Sequence, residues 1–399
     1  MKVDELKRVE VADVWCGDQR CAQLRRERVG IRFAYEPGYH GRPVATTLPV
    51  ADLEQQALAG PVPPFFAGLL PEGRRLGAIR RATKTSADDE LTLLLAVGQD
   101  MVGNVRIVPH GESPTRVLAG IIPPIAEVEF AELFDSVLTP ANLDRAGIPG
   151  VQDKVSGRMI ALPVAYAGAA WILKLDPPEF PHLVANEAFF LDAARRSGLD
   201  VAHTEIVHDK VGKAGLLVRR FDRVPAEGDF ESLAQEDACQ VLGRYPADKY
   251  RVTTEEVIAG LARVTHAPLV AARTLMRQFA FAYLAGNGDA HAKNFSVLHR
   301  GGEWHVAPAY DLPTTHPYGD MTMALSIQGR SREDIRRADF VALGEQCGVP
   351  KKATERVLDD LIAAVPVWLD RLAELPFDAR RVHKLAQACR YRVSRLRGR

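Results

Sequence analysis

The sequence predicts an α+β chain built as two lobes behind a small amino-terminal domain, and three observations carry that prediction. Its 399 residues exceed what one ordinary hydrophobic core serves. Prolines and glycines gather in VPHGESPTRVLAGIIPPIAEVEF, between Pro109 and Pro124, as they do in linkers. Strand-like segments dominate before Gln235 and helical periodicity dominates after it. The expected organisation is therefore an α+β domain over 1–108, a linker over 109–126, a mostly β lobe over 127–233 and a helical lobe over 234–399.

The elements follow in order. In the first domain VEVADVW and GIRFAY alternate as strands do, the turn cluster EPGYHGRP follows, and the chain turns helical after FFAGLLPEG. The β lobe contains RMIALPV, AAWILKL, TEIVHD and AGLLVRRF as strands, with HLVANEAFFLDAARRSG as a helix between the second and third. Helices are then expected in EEVIAGLARV, LVAARTLMRQFAFAYLA and KKATERVLDDLIAAVPVWLDRLAEL. In the middle one, Leu275, Phe279 and Tyr283 fall at i, i+4 and i+8, the spacing of a buried face, and Gly286 stops it.

Bulk properties narrow the function classes. The 51 basic and 51 acidic residues cancel, so no global field draws the chain to nucleic acid. Five scattered cysteines without CxxC spacing suggest neither a disulfide framework nor a zinc ribbon and favour a reducing cytoplasm. MKVDELKRVEVADVW lacks the apolar core of a signal peptide, and no apolar run approaches the length of a membrane span. A soluble cytoplasmic protein without membrane contact is expected.

The chemistry concentrates in GNGDAHAKNFS, Gly286 to Ser296, where the chain leaves the buried helix. Asp289 and Asn294 stand in a D-x-x-x-x-N spacing, and Asp311 follows in HVAPAYDL after a turn, RGG, and a strand-like EWHV. Phosphoryl transfer uses such a set: one carboxylate orients the attacking hydroxyl and accepts its proton, while an amide oxygen and a second carboxylate hold magnesium against nucleotide phosphates. Placed on a loop at a rigid helix end, these groups are expected to be positioned yet solvent-reachable. Asx residues in glycine-rich loops also cap helices, so the upstream residues decide. GIPGVQDK, Gly147 to Lys154, reads either as a phosphate-covering loop or as an ordinary turn. Lys174 is a lone cation in the strand AAWILKL, either snorkelling or meeting a phosphate, and Glu187 in the next helix is its candidate ion-pair partner.

Those blocks, with FFAGLLPEG (65–73), LLAVGQDMVGNV (94–105), RRFDR (219–223), QEDACQVLG (235–243) and PAYDL (308–312), resemble the HipA family of bacterial serine/threonine kinases nearly end to end. These kinases are the toxins of type II toxin–antitoxin modules, with a bilobal, protein-kinase-like fold. The resemblance implies ATP and Mg2+ as co-substrate and metal. It makes Asp289 the catalytic base with His291 and Lys293 beside it, and Asn294 and Asp311 the metal ligands. Gly150, Val151, Gln152, Asp153, Lys154, Lys174, Arg219, Phe221, Gln235 and Tyr310 would contact the nucleotide, with the backbone around Arg219 to Phe221 as the hinge. It also implies a HipB-like helix-turn-helix antitoxin, operator DNA reached through that complex, and an aminoacyl-tRNA synthetase as protein substrate, the glutamyl enzyme as first guess.

One departure stands out. The serine that family members autophosphorylate aligns with Gly147, and between Thr139 and Ser156 there is no other hydroxyl of that kind, so Thr139 or Ser156 serves or self-inactivation is absent. The carboxyl-terminal segment from Arg380 to Arg399 has eight Lys/Arg and no acid, which suits either a DNA-side contact or a solvated helix end. Three other readings remain: a small-molecule phosphotransferase of aminoglycoside or choline kinase type, a two-metal phosphoesterase, and a catalytically silent co-repressor.

Overall fold

The computed structural model describes residues 3–28, 30–50, 54–56, 62–115, 124–137, 160–177, 179–226 and 229–398. Its amino-terminal part is an antiparallel sheet of β1 (Val11–Cys16), β2 (Gln19–Arg26), β3 (Ile31–Tyr35), β4 (Glu54–Gln56) and β5 (Val105–Pro109), in the order β4-β3-β2-β1-β5. Three helices, α1 (Pro64–Leu69), α2 (Gly73–Thr83) and α3 (Glu90–Val97), share its core. The alternation in β3, where Ile31, Phe33 and Tyr35 are buried, delivers one apolar face to that core. Asp89 caps α3 by accepting the Thr92 N–H.

After α4 (Phe130–Val137) comes a second antiparallel sheet of β6 (Ile160–Tyr166) and β7 (Ala169–Leu175), then α5 (Leu183–Arg196), then β8 (Thr204–His208) and β9 (Ala214–Arg219), paired as β6-β7-β9-β8. The period of two in β7 divides its duties. Trp171, Leu173 and Leu175 pack with Phe130, Leu162 and Val164, and Ile172 and Lys174 face the other way. The hairpin of β10 (Arg223–Ala226) and β11 (Asp229–Ser232) then leads to β12 (Gln235–Asp237).

The rest is helical: α6 (Ala238–Val241), α7 (Thr254–Val264), α8 (Pro268–Ala285), and, beyond β13 (Ser296–Arg300) and β14 (Glu303–Val306), α9 (Arg337–Gln346), α10 (Lys351–Leu369) and α11 (Ala379–Arg397). The expected helical lobe thus carries one small antiparallel sheet, β12-β13-β14, where β12 borrows its pairing from the strand that follows the GNGDAHAKN loop. Helix α8 is the axis of this lobe, and Leu275, Phe279 and Tyr283 are fully buried as their spacing predicts.

Basic α11 departs from a plain solvated helix. Arg392 is buried, donating from Nη1 to the Tyr283 carbonyl at 3.0 Å and from Nη2 to that of Met321 at 2.9 Å, whereas Arg380, Arg381, Lys384, Arg390 and Arg397 are exposed. No described helix is long and apolar enough to cross a membrane.

A buried ionic cluster joins the first domain to the turn that follows β9. Arg220 donates to both Asp100 oxygens at 2.9 Å and to Asp222 at 3.1 and 2.9 Å, while Arg223 reaches Asp100 at 2.8 Å and Asp222 at 2.7 Å. Burial alone would raise the Asp222 carboxyl, but Arg220 and Arg223 hold it down at about 2. GQDMVGN and RRFDR are therefore two halves of one charge-balanced joint.

Candidate active site

The site begins where α8 ends. Gly286 adopts φ +74 as the helix's C-cap, and a side chain there would meet the Arg392 guanidinium at 2.6 Å. At Gly288 a Cβ would come within 2.8 Å of Thr315 Oγ1, Asp320 Oδ2 and the Thr322 carbonyl, so the loop passes through a gap that only glycine fits. Asn287 then accepts the Asp289 N–H at 3.0 Å, and the Asp289 carbonyl accepts that of His291 at 2.8 Å, which fixes the loop's course.

Asp289 is 2% exposed, contrary to the expectation of a solvent-reachable carboxylate. The segment ahead of α7 lies against it: Tyr250 donates its hydroxyl to Asp289 Oδ1 at 2.7 Å, and Ala292 N–H bonds the Lys249 carbonyl at 3.1 Å. His291, Lys293 and Asn294 are buried too but line the cleft. The Lys293 ammonium donates to Asp237 Oδ2 at 2.9 Å and to the Gly68 carbonyl at 3.0 Å, so it ties loop, β12 and α1 together. Burial pulls its pKa down, but the charges of Asp237 and Glu72 more than offset this and leave it above the ordinary lysine value.

Across the cleft, Lys174 Nζ donates to Glu187 at 2.7 and 2.9 Å and to Asp311 Oδ1 at 3.1 Å. Two carboxylates around one buried ammonium leave an unbalanced negative charge. It shows in Glu187, whose carboxyl is pushed up to about 7 by burial and by the nearby charge of Asp311, against the pull of Lys174. Lys174 is held above its usual value because the two carboxylates outweigh its own burial.

The convergence has local causes. Asp176, just past β7, accepts the N–H groups of His182 and Val184 at 2.9 and 2.7 Å and so caps α5 from outside the helix. One turn on, Asn186 exchanges bonds with the Thr314 backbone at 2.8 and 3.0 Å, which docks α5 on the segment carrying Asp311. Glu187 and Asp311 are thereby delivered to the same lysine.

Asn294 Nδ2 donates to Asp311 Oδ2 at 2.7 Å, and Asp311 itself sits at φ +57, a left-handed conformation that few side chains other than Asp and Asn accept. Asp311 offers a carboxylate beside excess negative charge, while the Asn294 carbonyl oxygen accepts the His291 N–H at 3.0 Å and keeps a second lone pair. No group of three or more His, Cys, Asp or Glu suited to a metal occurs among the described residues. A magnesium ion that arrives with phosphates and keeps waters needs only one or two protein carboxylates or amides, which Asp311 and Asn294 can supply.

Arg219, Phe221, Gln235 and Tyr310 line the same cleft, with Ala161, Ile172 and Val102 as apolar wall. The Phe221 and Tyr310 rings lie 5.6 Å apart, and the Tyr310 hydroxyl donates to the Lys293 carbonyl at 2.8 Å. Gly150, Val151, Gln152, Asp153 and Lys154, together with Gly147, Thr139 and Ser156, lie outside the described residues.

Sequence reasoning missed the residues that enclose the site from a distance: Glu72, Asp237, Lys249 and Tyr250. Glu72, at the start of α2, bonds the Lys249 ammonium at 2.6 Å, and Gly68 and Leu69 join it in the cleft wall. The blocks FFAGLLPEG and QEDACQVLG had marked two of the four positions without indicating a role.

Comparison with known proteins agrees with this architecture. Residues 12–108 match the profile of the HipA N-terminal domain and residues 146–369 that of the HipA-like C-terminal domain. A putative kinase, Y4mE of Sinorhizobium fredii, is 30% identical over 98% of this chain and 99% of its own length. The serine/threonine-protein kinase toxin HipA of Shewanella oneidensis is 28% identical over 72% of this chain and 70% of its own. The solved complex of Shewanella oneidensis HipA, HipB and operator DNA contains a chain that superposes with a TM-score of 0.75 over 97% of both chains at 22% identity, a likeness of fold.

Proposed function

The chain belongs to the HipA family, and from that premise we propose that it is an ATP- and magnesium-dependent serine/threonine protein kinase, the toxin of a toxin–antitoxin module. The observation that carries the reading is the meeting of Lys174, Glu187 and Asp311 with Asn294, which stands on the same loop as Asp289. Lys174 orients the nucleotide's phosphates from β7, and Glu187 holds it in place. Magnesium, when bound by Asn294 and Asp311, neutralises charge on the phosphates. Asp289 takes the proton from the acceptor hydroxyl as its oxygen attacks the γ-phosphorus and ADP departs. Ile172, Val102, Phe221 and Tyr310 provide the apolar surfaces for a base.

The acceptor we propose is a hydroxyl of an aminoacyl-tRNA synthetase, the glutamyl enzyme first, so that phosphorylation arrests translation. By likeness to the HipA–HipB–operator complex we propose a helix-turn-helix antitoxin as partner, with the exposed arginines and Lys384 of α11 available to DNA phosphates. The walls that Gly68, Leu69 and Glu72 add to the cleft favour this reading over a small-molecule phosphotransferase, which lacks such a domain.

The test is to incubate the protein with γ-labelled ATP and magnesium in a host extract, beside an Asp289→Asn variant, and identify labelled proteins by mass spectrometry. A labelled synthetase absent with the variant is expected. Label confined to small molecules would refute the protein-kinase reading, and equal labelling by the variant would refute the role of Asp289.

A further inference from the structure

We infer that Tyr250 is a positioning residue for the catalytic base, its phenol holding the Asp289 carboxylate in the orientation that receives the acceptor hydroxyl's proton. The inference rests on the kinase reading, in which Asp289 is that base.

The geometry begins with the bond itself. Tyr250 donates to Asp289 Oδ1 at 2.7 Å, a short, charge-assisted contact. A carboxylate has about four lone-pair sites, and the phenol takes up one of them. Burial, and then the charge of Asp289, push the phenol's pKa upward, so it stays a donor wherever the carboxylate is ionised.

The phenol is also anchored, which a merely adjacent hydroxyl would not be. Its neighbour Lys249 is 2% exposed, bonds Glu72 at 2.6 Å and lends its carbonyl to Ala292 of the loop. The Tyr250 ring meets the His291 ring edge-on at 5.1 Å, and the Lys249 ammonium stands 5.5 Å from its centroid. Tyr250 is thus fixed from the amino-terminal domain on one side and from the loop on the other.

The experiment compares wild type, Tyr250→Phe, Asp289→Asn and the double variant of the full chain, with casein as generic acceptor and γ-labelled ATP as donor. Removing only the hydroxyl keeps the ring contacts. Tyr250→Phe should lower kcat by about tenfold to a hundredfold, the worth of one bond to a charged group, with the KM for ATP unchanged and the melting temperature lowered by a few degrees at most. In the Asp289→Asn background the same change should cost nothing further, because its effect runs through the carboxylate. Equal losses in both backgrounds, or a Tyr250→Phe variant at full rate while Asp289→Asn is slow, would overturn the positioning role and leave the kinase reading intact. If Asp289→Asn itself matched wild type, the kinase reading would fall and this role with it.

Discussion

At the scale of single residues, the site is a problem of charge held out of water. Lys174 faces two carboxylates, and removing either partner of such a buried set has different consequences according to what remains. Asp311→Asn should be mild for stability: asparagine tolerates the left-handed backbone at φ +57, and Lys174 keeps Glu187. Its functional effect should be large, with magnesium-dependent ATP affinity down about tenfold or more in titration calorimetry while the melting temperature stays near wild type. A variant that binds MgATP as tightly as wild type would remove Asp311 from the metal site.

At the scale of elements, contacts between β12 and the first domain matter most. Glu236 accepts the Thr46 N–H and hydroxyl, both at 2.8 Å, and burial pushes its carboxyl up to about 7 from the ordinary 4.5. A raised folded-state pKa means that the folded chain binds the proton more tightly than the unfolded chain. The stabilising contribution is full below about 4.5 and is lost as pH rises through about 7. Glu236→Gln should therefore flatten the pH dependence of the melting temperature between those values and leave the variant at least as stable as wild type above them; an unchanged slope would contradict the assignment. The legible part of the molecule was also set at this scale. Strands β6 to β9, helices α5 and α8 and the loop of Asp289 and Asn294 follow from periodicity and local spacing, which one stretch of chain contains. Tyr250 and Lys249 sit in an irregular stretch with no period, and their partners Asp289 and Glu72 are 39 and 177 residues away, so nothing local announces them. The burial of Asp289 escaped for the same reason: a cover contributed from elsewhere leaves no mark on the covered sequence.

For the molecule as a whole, the first domain is a wall of the candidate site, joined to the turn after β9 by Asp100, Arg220, Asp222 and Arg223. Asp100→Ala would leave two buried guanidinium groups with one carboxylate and should destabilise the chain by about 3–5 kcal/mol in denaturant unfolding. A loss within a few tenths would mean that solvent reaches the joint. If this fold is assembled to move a phosphoryl group with Asp289 as base, the initial rate of γ-phosphate transfer from MgATP to protein should fall about a hundredfold or more in Asp289→Asn with ATP binding preserved. Transfer at the wild-type rate would exclude Asp289 as that base.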